Sequence, residues 1–182
     1  MSKLVPFALC AAFLAHTAFA QSPAQQAAVE IRNAMQLCLQ NYEQPQQIFT
    51  GLTQAGYRYT KEDFGGGPDD VLHWFNRADN LINVAVVARP QLTECRISTD
   101  FIGVPLALQF AGIALTSLFQ GDVQEGSLEN VNVKPGDALS NQQECSGYSF
   151  LAPRRAIWVA VGTAGQDPVC VDNGTSQIMM RM

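Results

Sequence analysis

Two short stretches decide the fold of this chain: Ile82-Asn83-Val84-Ala85-Val86 and Ile157-Trp158-Val159-Ala160-Val161. Both are rich in β-branched residues, which indicates strands. The offset that aligns the two stretches also aligns Cys95 with Cys170. We therefore predict a tandem pseudo-repeat. Coincidence is the alternative, because Val-Ala-Val is a common strand string.

Each repeat is predicted to open with a helix. The same offset lays residues 29–40 over residues 104–115, and both stretches have helical character. Ser22 and Gln25 form a capping box at the start of the first helix. The second helix, 104–119, is apolar nearly all round, which predicts burial between the sheet and another layer.

Antiparallel strands are predicted to follow each helix. A short additional helix begins at Pro45 in the first copy only. No helix separates the strands between 71 and 99, so a doubly wound parallel sheet is excluded. The predicted class is α+β, a tandem pseudo-repeat of helix plus antiparallel β-meander with the helices on one face. The predicted strands are 57–60, 71–76, 81–88 and 94–99, then 131–133, 146–151, 156–162, 169–172 and 177–181.

Residues 1–20 are predicted to be a secretory signal peptide. Lys3 supplies a positive charge, residues 4–14 are apolar, and Ala18-Phe19-Ala20 is a small-x-small cleavage site. A membrane anchor is disfavoured because the apolar run is short, and a lipoprotein because Leu9 precedes Cys10. The expected location is periplasmic or secreted. The first repeat then covers 21–101 and the second 102–182, within one compact domain.

Charge and hydropathy limit the partners. The formal net charge is -5, which leaves little surface to neutralise phosphates, so nucleic acid is not expected. The longest apolar run after the leader is 104–119 and is interrupted by polar residues, so no membrane span is expected after signal cleavage.

Four cysteines follow the leader, and export makes disulfides the expected state. One bridge per repeat is the preferred connectivity, Cys38–Cys95 and Cys145–Cys170. A Cys95–Cys170 bridge between the repeats is the alternative. No Cys-x-x-Cys occurs and His73 is the only histidine after the leader, so neither a metal nor a cofactor is predicted.

No catalytic residues are predicted. A nucleophilic hydrolase needs a base beside its nucleophile, and His73 has no nucleophile elbow to serve. The remaining candidates are four aromatic residues near strands, Tyr57, Tyr59, Trp74 and Trp158. They form either a binding surface or part of the core.

The predicted function is therefore an exported, disulfide-stabilised, non-catalytic binding module. Its expected partner is a protein or a cell-envelope component, as for an inhibitor, immunity protein or adaptor. The alternatives are a small secreted hydrolase with acidic catalytic residues and a structural envelope protein. Trp158 aligns with Asn83 between the repeats, so both side chains should lie on the same face of the sheet.

Overall fold

The computed structural model describes residues 21–63, 67, 70–119, 123–127, 146–151, 156–165 and 171–182. The predicted leader, the predicted strand 131–133 and the predicted Cys145–Cys170 bridge lie outside these residues. None of the helices in the described ranges combines the length and the apolar character that crossing a membrane requires.

The described chain forms three helices on one face of an eight-stranded antiparallel sheet, so the predicted α+β class is confirmed. The strands lie side by side in the order β1-β2-β3-β4-β8-β7-β6-β5. The elements are α1 (Pro23–Gln40), α2 (Pro45–Gln54), β1 (Arg58–Asp63), β2 (Val71–Asn76), β3 (Asn83–Arg89), β4 (Leu92–Thr99), α3 (Val104–Leu118), β5 (Gln124–Ser127), β6 (Ser146–Leu151), β7 (Ala156–Gly162) and β8 (Ser176–Arg181).

The predicted strand 177–181 is confirmed as β8, whereas the described part of the predicted strand 169–172 is not a strand. Val171 and Asp172 were expected in a strand but lie outside one, and the strand that pairs with β4 is β8. Met180 is the residue opposite Cys95. The offset that aligns Cys95 with Cys170 therefore does not align the two strands at the centre of the sheet, and duplication stays a prediction.

α1 begins as its capping box predicts. The Ser22 amide donates to Gln25 Oε1 at 2.9 Å, and the Gln25 amide donates to Ser22 Oγ at 3.3 Å. Two otherwise unpaired amides at the helix start are thereby satisfied. Ala27, Ile31 and Cys38 are among the residues of its buried face, at the three- and four-residue spacing of one helix side.

α3 lies beside α1 and packs on β6, β7 and β8. Its prediction as a helix buried on all sides is wrong, because Leu106 is 43% and Ile113 53% exposed. Within the described residues the helices form a single layer, so the side of α3 that faces away from the sheet has no second layer to cover it. The apolar composition of α3 alone could not reveal that one side of the helix is exposed.

The Cys38–Cys95 disulfide is confirmed and joins α1 to β4. The two Cα atoms are 6.4 Å apart, within the range that a disulfide spans. Both cysteines are fully buried in the core between helices and sheet. The bridge thus fixes the helix layer to a central strand of the sheet.

Candidate functional site

A groove of about 450 Å³ lies between α2 and the first two strands. We call it the α2 groove. Phe75 is fully buried, whereas Tyr59 on β1 is 46% exposed. The groove therefore runs from the core to the surface at one edge of the sheet. Its lining residues are Gln46, Phe49, Thr50, Thr53, Gln54, Tyr59, His73 and Phe75.

Aromatic rings form the inner part of the α2 groove. The Phe49 ring centroid lies 4.4 Å from that of His73 and 5.5 Å from that of Phe75. The Tyr59 and Phe75 centroids are 5.3 Å apart. Tyr59 faces Phe75 across β1 and β2, and Phe49 reaches both strands from α2. These separations are those of favourable aromatic pairs, so the rings support one another.

His73 is held in the groove as a neutral hydrogen-bonding group. Burial lowers the pKa of its imidazole below the ordinary value, and the positive charge of Lys61 lowers that pKa further. Its Nδ1 lies 2.9 Å from the Tyr59 hydroxyl oxygen. A neutral imidazole offers one donor and one acceptor, so His73 contributes hydrogen bonds rather than charge at pH 7.

Uncharged polar side chains from α2 form the rim. The Thr50 hydroxyl donates to the Gln46 carbonyl at 2.9 Å, and the Thr53 hydroxyl donates to the Phe49 carbonyl at 2.8 Å. Since each hydroxyl proton is already used, both threonine oxygens remain as acceptors. Gln46 and Gln54 add amides that can donate and accept. The groove can therefore hold a flat or apolar group by its faces and hydrogen-bond a neutral polar group at its edge.

The sheet face away from the helices is a second surface, which we call the open face. Val84 and Val159 point into the core, so their neighbours Asn83 and Trp158 lie on the open face because strand side chains alternate. Trp158 faces Arg181 across β7 and β8 and packs on Ala160 and Met179. Trp158 and Asn83, which align between the two predicted repeats, thus lie on the same face of the sheet.

An ion-paired cluster lies at the centre of the open face. Glu94 is buried and accepts a hydrogen bond from Arg96 Nε at 2.6 Å. Arg181 Nε lies 3.4 Å from the other carboxylate oxygen of Glu94. The two guanidinium groups offset the cost of burying this carboxylate.

The four predicted aromatic residues do not form one surface. Tyr57 is only 4% exposed, and its hydroxyl donates to Glu30 Oε2 at 2.9 Å. Burial and the neighbouring charge of Glu30 raise the pKa of this phenol. The Arg77 guanidinium carbon lies 5.6 Å from the ring centroid. In this structure Tyr57 is therefore a core residue.

The other three candidates lie on opposite faces. Tyr59 lines the α2 groove, while Trp74 lies on the open face with its indole nitrogen 3.4 Å from Glu62 Oε2. Trp158 is on the same face as Trp74, but three strands separate them, a distance of about 20 Å. Only Tyr59 contributes to the groove.

Sequence reasoning did not single out the α2 residues. Gln46, Phe49, Thr50 and Thr53 recur at three- and four-residue intervals, which is the signature of one helix face. That pattern could have predicted a shared surface, but not that this surface faces Tyr59 across a groove. No group of three or more potential metal-ligating side chains occurs among the described residues.

Comparisons with protein families, with curated proteins and with solved structures find no match to this chain.

Proposed function

We propose that this chain is an exported, disulfide-stabilised, non-catalytic binding module, and that the α2 groove holds an uncharged part of a protein or cell-envelope component. The observation that carries the proposal is the lining of the groove. Its described side chains are aromatic or uncharged and polar, with no carboxylate, lysine or arginine among them.

Such a lining suits recognition of a neutral ligand. Aromatic rings supply a large apolar area at low cost in conformational entropy, and their polar edges tolerate water. The volume of about 450 Å³ lies within the range of small-ligand sites. A sugar ring or an apolar peptide side chain would pack on Phe49 and Tyr59, and the Gln and Thr side chains would bind its hydroxyl or amide groups.

The same lining gives little support to the hydrolase alternative. A glycosidase with acidic catalytic residues requires a pair of carboxyl groups that flank the scissile bond. The described lining of the groove contains no carboxyl group. The Tyr59–His73 hydrogen bond pairs a phenol with an imidazole, but no described carboxylate lines the groove to orient that imidazole.

The disulfide supports the proposed export. Cys38 and Cys95 are bonded in the core, and such bonds persist in oxidising compartments. The signal-peptide pattern of residues 1–20 points to the same destination. Together they favour the periplasm or the exterior of the cell over a reducing cytosol.

We also infer that the chain arose by duplication of a unit of one helix and four strands. Support comes from the order of elements, since α1 precedes β1 to β4 and α3 precedes β5 to β8. The sheet is arranged as two such groups meeting at β4 and β8. α2 would then be an addition to the first unit.

The binding proposal is tested with the mature protein on arrays of envelope glycans and extended peptides, followed by calorimetric titration of each hit. Tyr59→Ala should weaken binding at least tenfold, because it removes one wall of the groove. Thr53→Trp should do the same by filling the groove from an exposed helix position. Phe101→Ala is the matched control, since Phe101 is an exposed aromatic outside the groove lining. Hits that bind both groove variants with unchanged affinity would refute the proposal.

A further inference from the structure

The edge strand β1 is exposed along its whole length. It pairs only with β2 and is the last strand of the sheet on its side. All six residues from Arg58 to Asp63 are exposed, so α2 does not overhang the edge. One side of the β1 backbone therefore has no strand partner within the described chain, and such an edge can pair with another strand.

We propose that β1 pairs with β1 of a second copy of this chain, in an antiparallel register centred on Thr60, so that the two sheets become continuous. The proposal concerns self-association and does not depend on what the α2 groove binds. It rests on the charge pattern of the strand, Arg58-Tyr59-Thr60-Lys61-Glu62-Asp63.

Geometry limits the registers that two identical strands can adopt. Residues directly opposite each other must point to the same face of the sheet, and faces alternate along the strand. The twofold axis must therefore lie midway between the two copies of one residue, so that this residue is opposite itself. Each residue of β1 then defines one candidate register.

The register centred on Thr60 pairs complementary side chains from residue 58 to residue 62, and Asp63 lies beyond the end of the partner strand. Arg58 lies opposite Glu62 of the second copy, and symmetry provides this ion pair twice. Tyr59 lies opposite Lys61 of the second copy, where an ammonium group can pack on the phenol ring. Thr60 lies opposite Thr60 of the second copy, which is a favourable cross-strand pair.

The neighbouring registers are less favourable. Centring on Lys61 places two lysines opposite each other and Thr60 opposite Glu62. Centring on Glu62 pairs Lys61 with Asp63 twice, but it places two carboxylates opposite each other and overlaps only residues 61–63 of β1. Like charges in directly opposed positions destabilise strand pairs. Centring on Tyr59 places Arg58 opposite Thr60 and leaves Glu62 beyond the end of the partner strand, so the Arg58–Glu62 ion pairs are lost.

The two faces of the strand agree with this arrangement. Glu62 lies on the open face, where Trp74 contacts it, and Arg58 lies on that same face because strand side chains alternate. Tyr59 lies on the helix side with His73, and so does Lys61, which faces His73 in register. The ion pairs would therefore form on one face and the Tyr–Lys contacts on the other, beside the two α2 grooves.

Charged edge strands also serve to prevent pairing, and the test separates the two roles. Sedimentation equilibrium of the mature protein up to about 0.5 mM should reveal a reversible dimer, because a dissociation constant below the millimolar range is measurable there. A protein that stays monomeric at that concentration would show that the charges protect the edge, and would overturn the proposal.

Charge reversal tests the register itself. Arg58→Glu alone and Glu62→Arg alone should each weaken self-association at least about tenfold, since both ion pairs become like-charge contacts. An equimolar mixture of the two variants should form a heterodimer of near wild-type affinity, because every pair across the axis is again of opposite charge. Arg32→Glu on the exposed side of α1 is the control for net charge and should leave the dimer unchanged. A dimer that tolerates Arg58→Glu, or a mixture that does not associate, would refute the proposed register.

Discussion

Removing the Cys38–Cys95 bridge should destabilise the protein strongly. The perturbation is the double variant Cys38→Ala with Cys95→Ala, which removes both thiols and so prevents new pairings. The bridged residues are 57 positions apart. Closing a loop of that length restricts the unfolded chain, and the chain-entropy relation assigns this restriction about 4 kcal/mol at 25 °C.

The assay is equilibrium unfolding of the chain from Gln21 onward in guanidinium chloride without reductant. We expect the free energy of unfolding to fall by about 4 kcal/mol, within the range found for native disulfides. The denaturant dependence should become steeper, because the unfolded chain without the bridge exposes more surface. Both cysteines are fully buried, so a small loss of packing energy should add to this figure.

Reductant provides the control. In dithiothreitol the wild-type protein and the double variant should be about equally stable, because the Cys38–Cys95 bridge is then absent from both. If dithiothreitol also lowers the stability of the double variant by several kcal/mol, a second bridge contributes, as predicted for Cys145 and Cys170. A loss of less than about 1 kcal/mol in the double variant would refute the reasoning, because the bridge would then not restrict the unfolded chain as its loop length requires.

Three further changes have definite expected outcomes. Gly147→Ala should cost about 2–4 kcal/mol in chemical unfolding, because an added Cβ would collide with the Val159 backbone carbonyl; unchanged stability would contradict this contact. The pKa of His73 is lowered in the folded protein, so the unfolded chain binds more protons than the folded chain between the two pKa values. The free energy of unfolding should therefore fall as the pH drops from about 6.5 toward that lower pKa. Urea titrations over this range should show a smaller fall for His73→Gln than for the wild-type protein. Ile113→Lys should change the midpoint of thermal unfolding by no more than about 2 °C, since its side chain is mostly exposed; a large decrease would mean that another layer covers α3.

Much of the fold could be predicted because local sequence patterns determine it. Ser22 and Gln25 set the start of α1 through hydrogen bonds within one turn. The absence of any helix between β2 and β4 required antiparallel neighbours. The Cys38–Cys95 bridge could be predicted from the expected export of the chain and from the expectation of one bridge in each half.

The register at the centre of the sheet could not be predicted in this way. The offset that aligns Cys95 with Cys170 matched β4 with the predicted strand 169–172, but β4 pairs with β8, which was predicted separately at 177–181. Turn lengths shift register without changing the alternation within each strand. A cysteine match is therefore a poor guide to which residues face each other across two strands.

The candidate site was only partly predictable because it combines distant segments. Tyr59 was identified from its position on a strand, whereas Phe49 and His73 were not identified as its neighbours. Their contacts depend on how α2 packs across β1 and β2, and this angle is set by the core and not by local pattern. Tyr57 has the same residue type and strand context as Tyr59, but it lies in the core.

The location of the α2 groove follows from a clear difference between the described parts of the two halves of the chain. In the first half α2, of 10 residues, lies between the long helix and the strands. In the second half α3 ends at Leu118 and β5 begins at Gln124, so the connection is too short for a second helix of that length. The strand edge at β1 therefore gains an aromatic wall from Phe49, and the described part of the second half has no helix between α3 and β5 to supply one. If the two halves share an ancestor, binding would have arisen where the first half acquired α2, and removing the groove by Thr53→Trp would leave the shared scaffold intact.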